Sequence, residues 1–325
     1  MASYADMTAT LLDTARSRED ILPIRADQCR SILQFQPPQH PVCLLFHGFT
    51  AAPFQWQAVA EPLFQAGYSI LAPRLPGHAH AGTWWRDNPP PLPTQVQDYQ
   101  RFALAWLQQA QALSNRVIVA GLGAGATLAA WLALEQLQAV DRAILIDPYL
   151  SQSQQVVDLF VRTVDSYCEW LEPQPPAYPT GYGGFALPAL QALLEIGQDV
   201  MQRIQQVPIA PVFLVSSGVG DSEARSFFDL ALRSQPRAWY HRFDQLDDLP
   251  HQMLTVTDSR RYQELLAAIV RGFNESDLTG TELQAIAQRA AQGETVDRAI
   301  GSLNLNGRAS AQLATLFTPK AASSK

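Results

Sequence analysis

Gly121-Leu122-Gly123-Ala124-Gly125 stands between two runs, Arg116–Ala120 before it and Ala126–Leu134 after it. A short apolar run, a glycine-dense turn and a longer apolar run read as a buried strand, a tight turn and a buried helix. Glycine enters positive φ without steric cost, so three of them together mark a turn too sharp for most side chains. The tip of that turn is Gly123, and it presents no side chain.

Outward from the turn the chain alternates strand and helix. Upstream lie a lead-in helix at Ala9–Arg18, a first strand in Cys29–Phe35 and a continuous apolar strand at Val42–Phe46. A helix over Pro53–Gln65, a strand at Tyr68–Ala72, a proline-rich aromatic loop and a helix over Thr94–Leu113 follow. The helix after the turn, Ala124–Leu137, is apolar on every face in its first turns and is expected to be buried. Downstream, strands are read at Arg142–Ile146, Pro211–Ser216 and Ala238–Phe243, with helices over Ser222–Arg233 and Ser259–Phe273. This alternation predicts an α/β fold, a mostly parallel sheet flanked by helices.

Two stretches depart from the pattern. Ser151–Val207 has no clear strand and is read as a helical cap insertion over the carboxyl ends of the strands, with helical pieces at Gln154–Trp170 and Pro188–Gln206. Thr281–Phe317 shows helical spacing at Leu283, Ile286, Val296, Ile300, Leu313 and Leu316, a small helical C-terminal extension. The expected division is a lead-in over 1–27, a main domain over 28–273 with its cap at about 151–207, and a helical tail over 274–325.

Composition narrows the function classes. Hydrophobic residues make up 47% and charged residues 16% of the 325, as suits a chain with a large packed core. A net charge of −7 gives a nucleic-acid partner no electrostatic support. No apolar run approaches a membrane span, and Met1–Arg25 lacks the apolar core of a signal peptide. Cys29, Cys43 and Cys168 have no metal-ligand spacing, and a reducing, cytoplasmic setting is the expectation. His78 and His80 lack a third ligand at suitable spacing, so no metal is expected there.

Four features fall in one order. His47-Gly48-Phe49-Thr50 follows a buried strand, where the Phe49 N–H can be aimed at a developing oxyanion. The turn at Gly123 supplies a second donor, the Ala124 N–H, at a helix N-terminus. Asp221, in Gly218-Val219-Gly220-Asp221, follows a strand and can orient an imidazole; His251, in Leu249-Pro250-His251, follows the next. The order turn, acid, base is the nucleophile–acid–base order of a serine hydrolase with a G-x-S-x-G elbow.

At these residues, and at Ala72-Pro73-Arg74-Leu75-Pro76-Gly77-His78, the sequence resembles the α/β-hydrolase superfamily, in particular its bacterial esterase- and lipase-like members. The resemblance covers roughly residues 28–273. It implies the α/β-hydrolase fold, a lidded apolar pocket, and ester or related acyl substrates. It places the acid at Asp221, with Asp147 as the alternative, and the base at His251. The departure is Gly123, where the family has its serine nucleophile.

Three function readings follow. In the first, the chain is a pseudo-hydrolase that binds an apolar or acyl-type small molecule, with no cofactor, and with Phe49, Trp84, Trp85, Tyr178 and Tyr182 as candidate pocket walls. In the second, it is a slow carboxylic-ester hydrolase in which His251, held by Asp221, activates water directly. Thr127 lies a helical turn past the tip and cannot replace the serine; Ser216 and Ser217, at a later strand end, are remote substitutes. In the third, Gly121, Gly123 and Ala126 form a dinucleotide fingerprint with Asp147 as the ribose acid. That fingerprint normally opens a fold, whereas here several strands and helices precede it. The tail over 281–317 is a candidate for partner binding or self-association; packing on the main domain is the alternative.

Overall fold

The computed structural model describes residues 3–150, 161–164, 166–170, 182–216, 221–242 and 260–317; at 161–164, 170, 221 and 260–263 it describes the backbone alone. Seven strands form the main sheet: β1 (Ile32–Gln34), β2 (Val42–Phe46), β3 (Ser69–Ala72), β4 (Val117–Leu122), β5 (Arg142–Ile146), β9 (Val212–Ser216) and β10 (Ala238–Arg242). Their spatial order is β1-β3-β2-β4-β5-β9-β10. β1 runs antiparallel to β3 at the edge; the other neighbours are parallel. The strand that leads into the glycine turn, β4, is therefore central.

The central strands β2 and β4 are apolar at every position because both faces are covered. Successive side chains point to opposite sides, so Cys43 and Leu45 join one core while Val42, Leu44 and Phe46 join the other. On one side lie α3 (Val96–Leu113), α4 (Ala124–Glu135) and α5 (Leu187–Arg203), contributing Leu107, Leu128, Leu193 and Ile196. On the other lie α2 (Gln57–Gln65) and α7 (Arg260–Asn274), contributing Val59, Leu63, Leu266 and Ile269. Every residue from Ala124 to Leu134 is buried, as expected of a helix apolar on all faces and packed between sheet and neighbouring helices.

The cap region differs from its expectation. Where a helix was expected over Gln154–Trp170, the described part holds two strands, β6 (Val161–Val164) and β7 (Tyr167–Trp170), paired antiparallel, and β7 also pairs with β8 (Gly184–Ala186). Val161, Thr163, Val164, Tyr167 and Trp170 are β-branched or aromatic, and the short hairpin lets them pair locally. The helix expected over Pro188–Gln206 is present as α5. The first strand is shorter than Cys29–Phe35, because Asp27–Cys29 forms a turn of 3₁₀ helix before Ile32.

The tail folds onto the main domain. Helices α8 (Gly280–Ala291), α9 (Val296–Ser302) and α10 (Leu313–Phe317) bury Leu283, Ile286, Val296, Ile300, Leu313 and Leu316 in the core that holds Phe213, Trp239 and Phe273. Thr279 and Glu282 close a capping box at the start of α8. The Trp239 indole N–H donates to the Leu278 carbonyl at 2.9 Å, and the Arg142 guanidinium donates to the carbonyls of Phe273 at 2.5 Å and Ser276 at 3.0 Å.

Candidate functional site

Register fixes where the site lies. Phe46 pairs with Gly121, Leu122 with Ile146, and Ile146 with Val215, all in parallel ladders. The carboxyl ends of β2, β4, β5 and β9 therefore lie at one edge of the sheet. His47–Thr50, Gly123 and Asp147 follow the first three directly, and Asp221 opens the helix after β9. The carboxyl edge of an open parallel sheet is where such folds place their ligands.

Gly123 has φ 53 and ψ −117 between β4 and α4, the sharp strand-to-helix turn predicted from its neighbours. Its N–H donates to the Ile146 carbonyl at 2.9 Å and its carbonyl accepts the Thr127 N–H at 3.1 Å, so the tip is held from both sides. The flanking glycines answer a different need. A β-carbon on Gly121 would stand 2.1 Å from the Gly125 carbonyl; one on Gly125 would stand 2.3 Å from the Phe46 oxygen and 2.6 Å from the His47 oxygen. Close approach of two backbone segments accounts for the spacing that also fits a dinucleotide fingerprint.

The segment after β2 is clamped by an imidazole. His47 is fully buried; its Nε2 accepts the Leu75 N–H at 2.9 Å, so Nδ1 carries the proton and donates to the Gly48 carbonyl at 2.9 Å. Burial, with His78 and Arg74 close by, pushes its pKa well below the usual histidine range. His47 is thus a neutral structural residue. Gly48 N–H donates to the Gln55 side-chain oxygen at 2.8 Å. Among the described residues, the Phe49 N–H meets no backbone acceptor. Thr50, next in line, has φ 59, and its buried hydroxyl has no hydrogen-bond partner among the described residues. Positive φ is a strained conformation for a β-branched residue. Ala124 is the first residue of α4, where a helix leaves the amide without an internal acceptor.

The acid and base positions are described unevenly. Asp221 is the first residue of α6 (Asp221–Ser234), with its backbone alone described; His251, Tyr178 and Ser217 lie outside the described residues. Asp147 follows β5 directly at φ 47 and donates its N–H to the Val215 carbonyl at 2.9 Å. Ser216, at the end of β9, is buried.

Of the candidate pocket walls, Phe49 is buried with its ring edge-on to Phe185 of β8 (centroids 4.8 Å apart) and to His78 (5.9 Å). Tyr182 is buried too. Its hydroxyl accepts the His80 N–H and donates to the Gly77 carbonyl, both at 2.7 Å, which ties the loop after β3 to the cap region. Trp84 packs edge-on against Tyr182 at 6.1 Å, whereas Trp85 is 50% exposed. A cleft of about 830 Å³ between α1 (Tyr4–Asp20) and α3, reaching the buried Glu19–Arg74 ion pair, contains none of the candidate residues.

Sequence reasoning missed Tyr149. Its ring lies over the elbow, with the hydroxyl 3.4 Å and two ring carbons 3.5 Å from where a β-carbon on Gly123 would be. Thr127, one helical turn past the tip, holds it: the Thr127 hydroxyl accepts the Tyr149 N–H at 2.8 Å and donates to the Tyr149 carbonyl at 3.1 Å. An empty tip in a close-packed fold demands a filler, and a large residue just past the neighbouring strand end was the available signal.

Among the described residues no three His, Cys, Asp or Glu side chains group as a metal site, and no helix is long and apolar enough to cross a membrane.

Comparison with known proteins agrees with this fold. A thermostable monoacylglycerol lipase of Bacillus sp. (strain H-257) is 36% identical over 93 residues, which is 28% of this chain and 34% of that protein. The matched stretch thus spans about a third of the relative's length. Among solved structures, Est1E from Butyrivibrio proteoclasticus superposes with a TM-score of 0.52 at 15% identity, over 77% of this chain and 96% of that one. A monoacylglycerol lipase of Paleococcus ferrophilus superposes with a TM-score of 0.51 at 14% identity, over 66% and 88%. These likenesses concern the fold. A sequence model of the alpha/beta hydrolase family matches residues 43–301, from β2 through the tail helix α9. By that match, which takes in most of the chain and all four site segments, the protein belongs to the alpha/beta hydrolase family.

Proposed function

We propose that this protein is a pseudo-hydrolase: it binds an apolar, acyl-type small molecule in an esterase- or lipase-like site and does not turn it over through a serine. One observation carries the reading. The residue at the elbow tip, at φ 53 and ψ −117, is a glycine, so the elbow itself carries no hydroxyl to act as nucleophile. Removing a serine nucleophile costs on the order of 10⁶ in turnover in a well-studied protease, and the oxyanion donors and binding contacts that remain supply only weak catalysis. The esterase and lipase relatives support an acyl ligand. In this reading Phe49 and Ala124 N–H groups receive the acyl oxygen, and Asp221 and His251 keep the acid and base positions without a nucleophile to serve.

Putting the hydroxyl back tests this. Gly123→Ser should label with a fluorophosphonate and cleave short aryl esters, while the unaltered protein does neither. A folded Gly123→Ser protein that stays inert to both reagents would refute the reading.

A further inference from the structure

A hydroxyl pressed against the elbow tip belongs to Tyr149, and its placement is built from three directions. Thr127 of α4 grips its backbone N–H and carbonyl. Gly197 of α5 makes room for it, since a β-carbon there would stand 1.9 Å from the Tyr149 carbonyl oxygen. Asp147, two residues earlier, turns the chain back over the sheet edge at φ 47. The ring is partly buried, and its hydroxyl has no hydrogen-bond partner among the described residues.

We propose that the Tyr149 hydroxyl takes the nucleophile's station as a hydrogen-bond donor, so that the ligand of this site is a free carboxylate on an apolar chain and not its ester. The inference rests on the acyl-ligand reading above and names the ligand's head group. A carboxylate has two equivalent acceptor oxygens. One fits the amide donors at Phe49 and Ala124; the other then lies over the tip, where Tyr149 donates to it. An ester places its alkoxy oxygen there, a weak acceptor carrying a substituent that must share space with the phenol ring. Burial and the Asp147 carboxylate push the phenol above its usual pKa, which keeps it a protonated donor and a poor nucleophile. Asp147 is a like charge that opposes the anion; the α4 N-terminus and the three donors favour it.

Titration calorimetry of the full chain with decanoate and with methyl decanoate, each below its aggregation concentration, tests the assignment. The unaltered protein should bind decanoate at least roughly 10-fold tighter than the ester, because a hydrogen bond to a charged group is among the stronger ones. Tyr149→Phe keeps the ring and the fold, checked by thermal melting, and should lose most of that preference through weaker decanoate binding. Equal affinity for acid and ester in the unaltered protein, or an unchanged preference in Tyr149→Phe, would overturn the inference. Ester binding without acid binding leaves the acyl-ligand reading standing and removes this one; binding of neither removes both.

Discussion

The His47 Nε2 accepts the Leu75 N–H at 2.9 Å, and this contact joins the segment leaving β2 to the one leaving β3. It requires a neutral ring. His78, its edge-on neighbour with centroids 5.2 Å apart, is fully buried too, and its Nδ1 donates to the Pro76 carbonyl at 2.9 Å. Burial pushes the His78 pKa down to about 3 and that of His47 well below its usual value.

Acid sensitivity follows from this pair. In the unfolded chain both rings titrate near 6.5. Between that pH and the depressed folded values, the unfolded chain binds more protons than the native one. Their stabilising effect is therefore complete above about pH 6.5 and is lost as the pH falls below it, by up to about 1.4 kcal/mol per pH unit for each ring. Melting temperatures from pH 7.5 to 5 should fall accordingly. In His78→Gln the decline should be shallower by about one proton's worth, and a parallel decline would contradict the assignment.

Glycine substitutions at the elbow should separate strain from collision. Gly123→Ala places its β-carbon in ordinary contact with Tyr149 at 3.4 Å, so its cost is the backbone term, about 1–3 kcal/mol. Gly125→Ala drives a β-carbon to 2.3 Å from the Phe46 oxygen and forces β2 and α4 apart, at about 3 kcal/mol or more. Denaturant unfolding of the two variants measures both. Similar losses would mean that the two segments can yield.

The tail should be inseparable from the domain. Leu283 and Leu313 are buried to within 1% of completely, against a core shared with the sheet. Leu313→Ala should cost about 2–5 kcal/mol, and truncation after Asn274 should lower the melting temperature sharply or abolish folding. Unchanged melting with loss of an oligomer would instead mark the tail as an association module.

Much of the fold was legible in order along the chain. Apolar runs such as Val42–Phe46 and Ile144–Ile146 announce strands covered on both faces, and Ala124–Leu134 announces a buried helix, because burial on all sides leaves no polar face in the sequence. The cap was misread in part because Val161–Trp170 has too few residues to separate a hairpin from a helix by periodicity. The candidate site was legible as far as it is backbone: His47-Gly48-Phe49 and Gly121–Gly125 sit at strand ends, and Gly123 takes the predicted positive φ.

By itself, then, the sequence determined the α/β alternation, the order of the site segments and the absence of a side chain at the elbow tip, since each is set by local steric preference or periodic burial. Tertiary structure alone decided which atoms fill that tip and which rings are locked neutral. Tyr149 is held over Gly123 by Thr127 of α4 and Gly197 of α5, on either side of it along the chain, and His47 is fixed by Leu75 from another loop. Such contacts follow from how close two backbones pack, and packing distance is a property of the assembled sheet and helices.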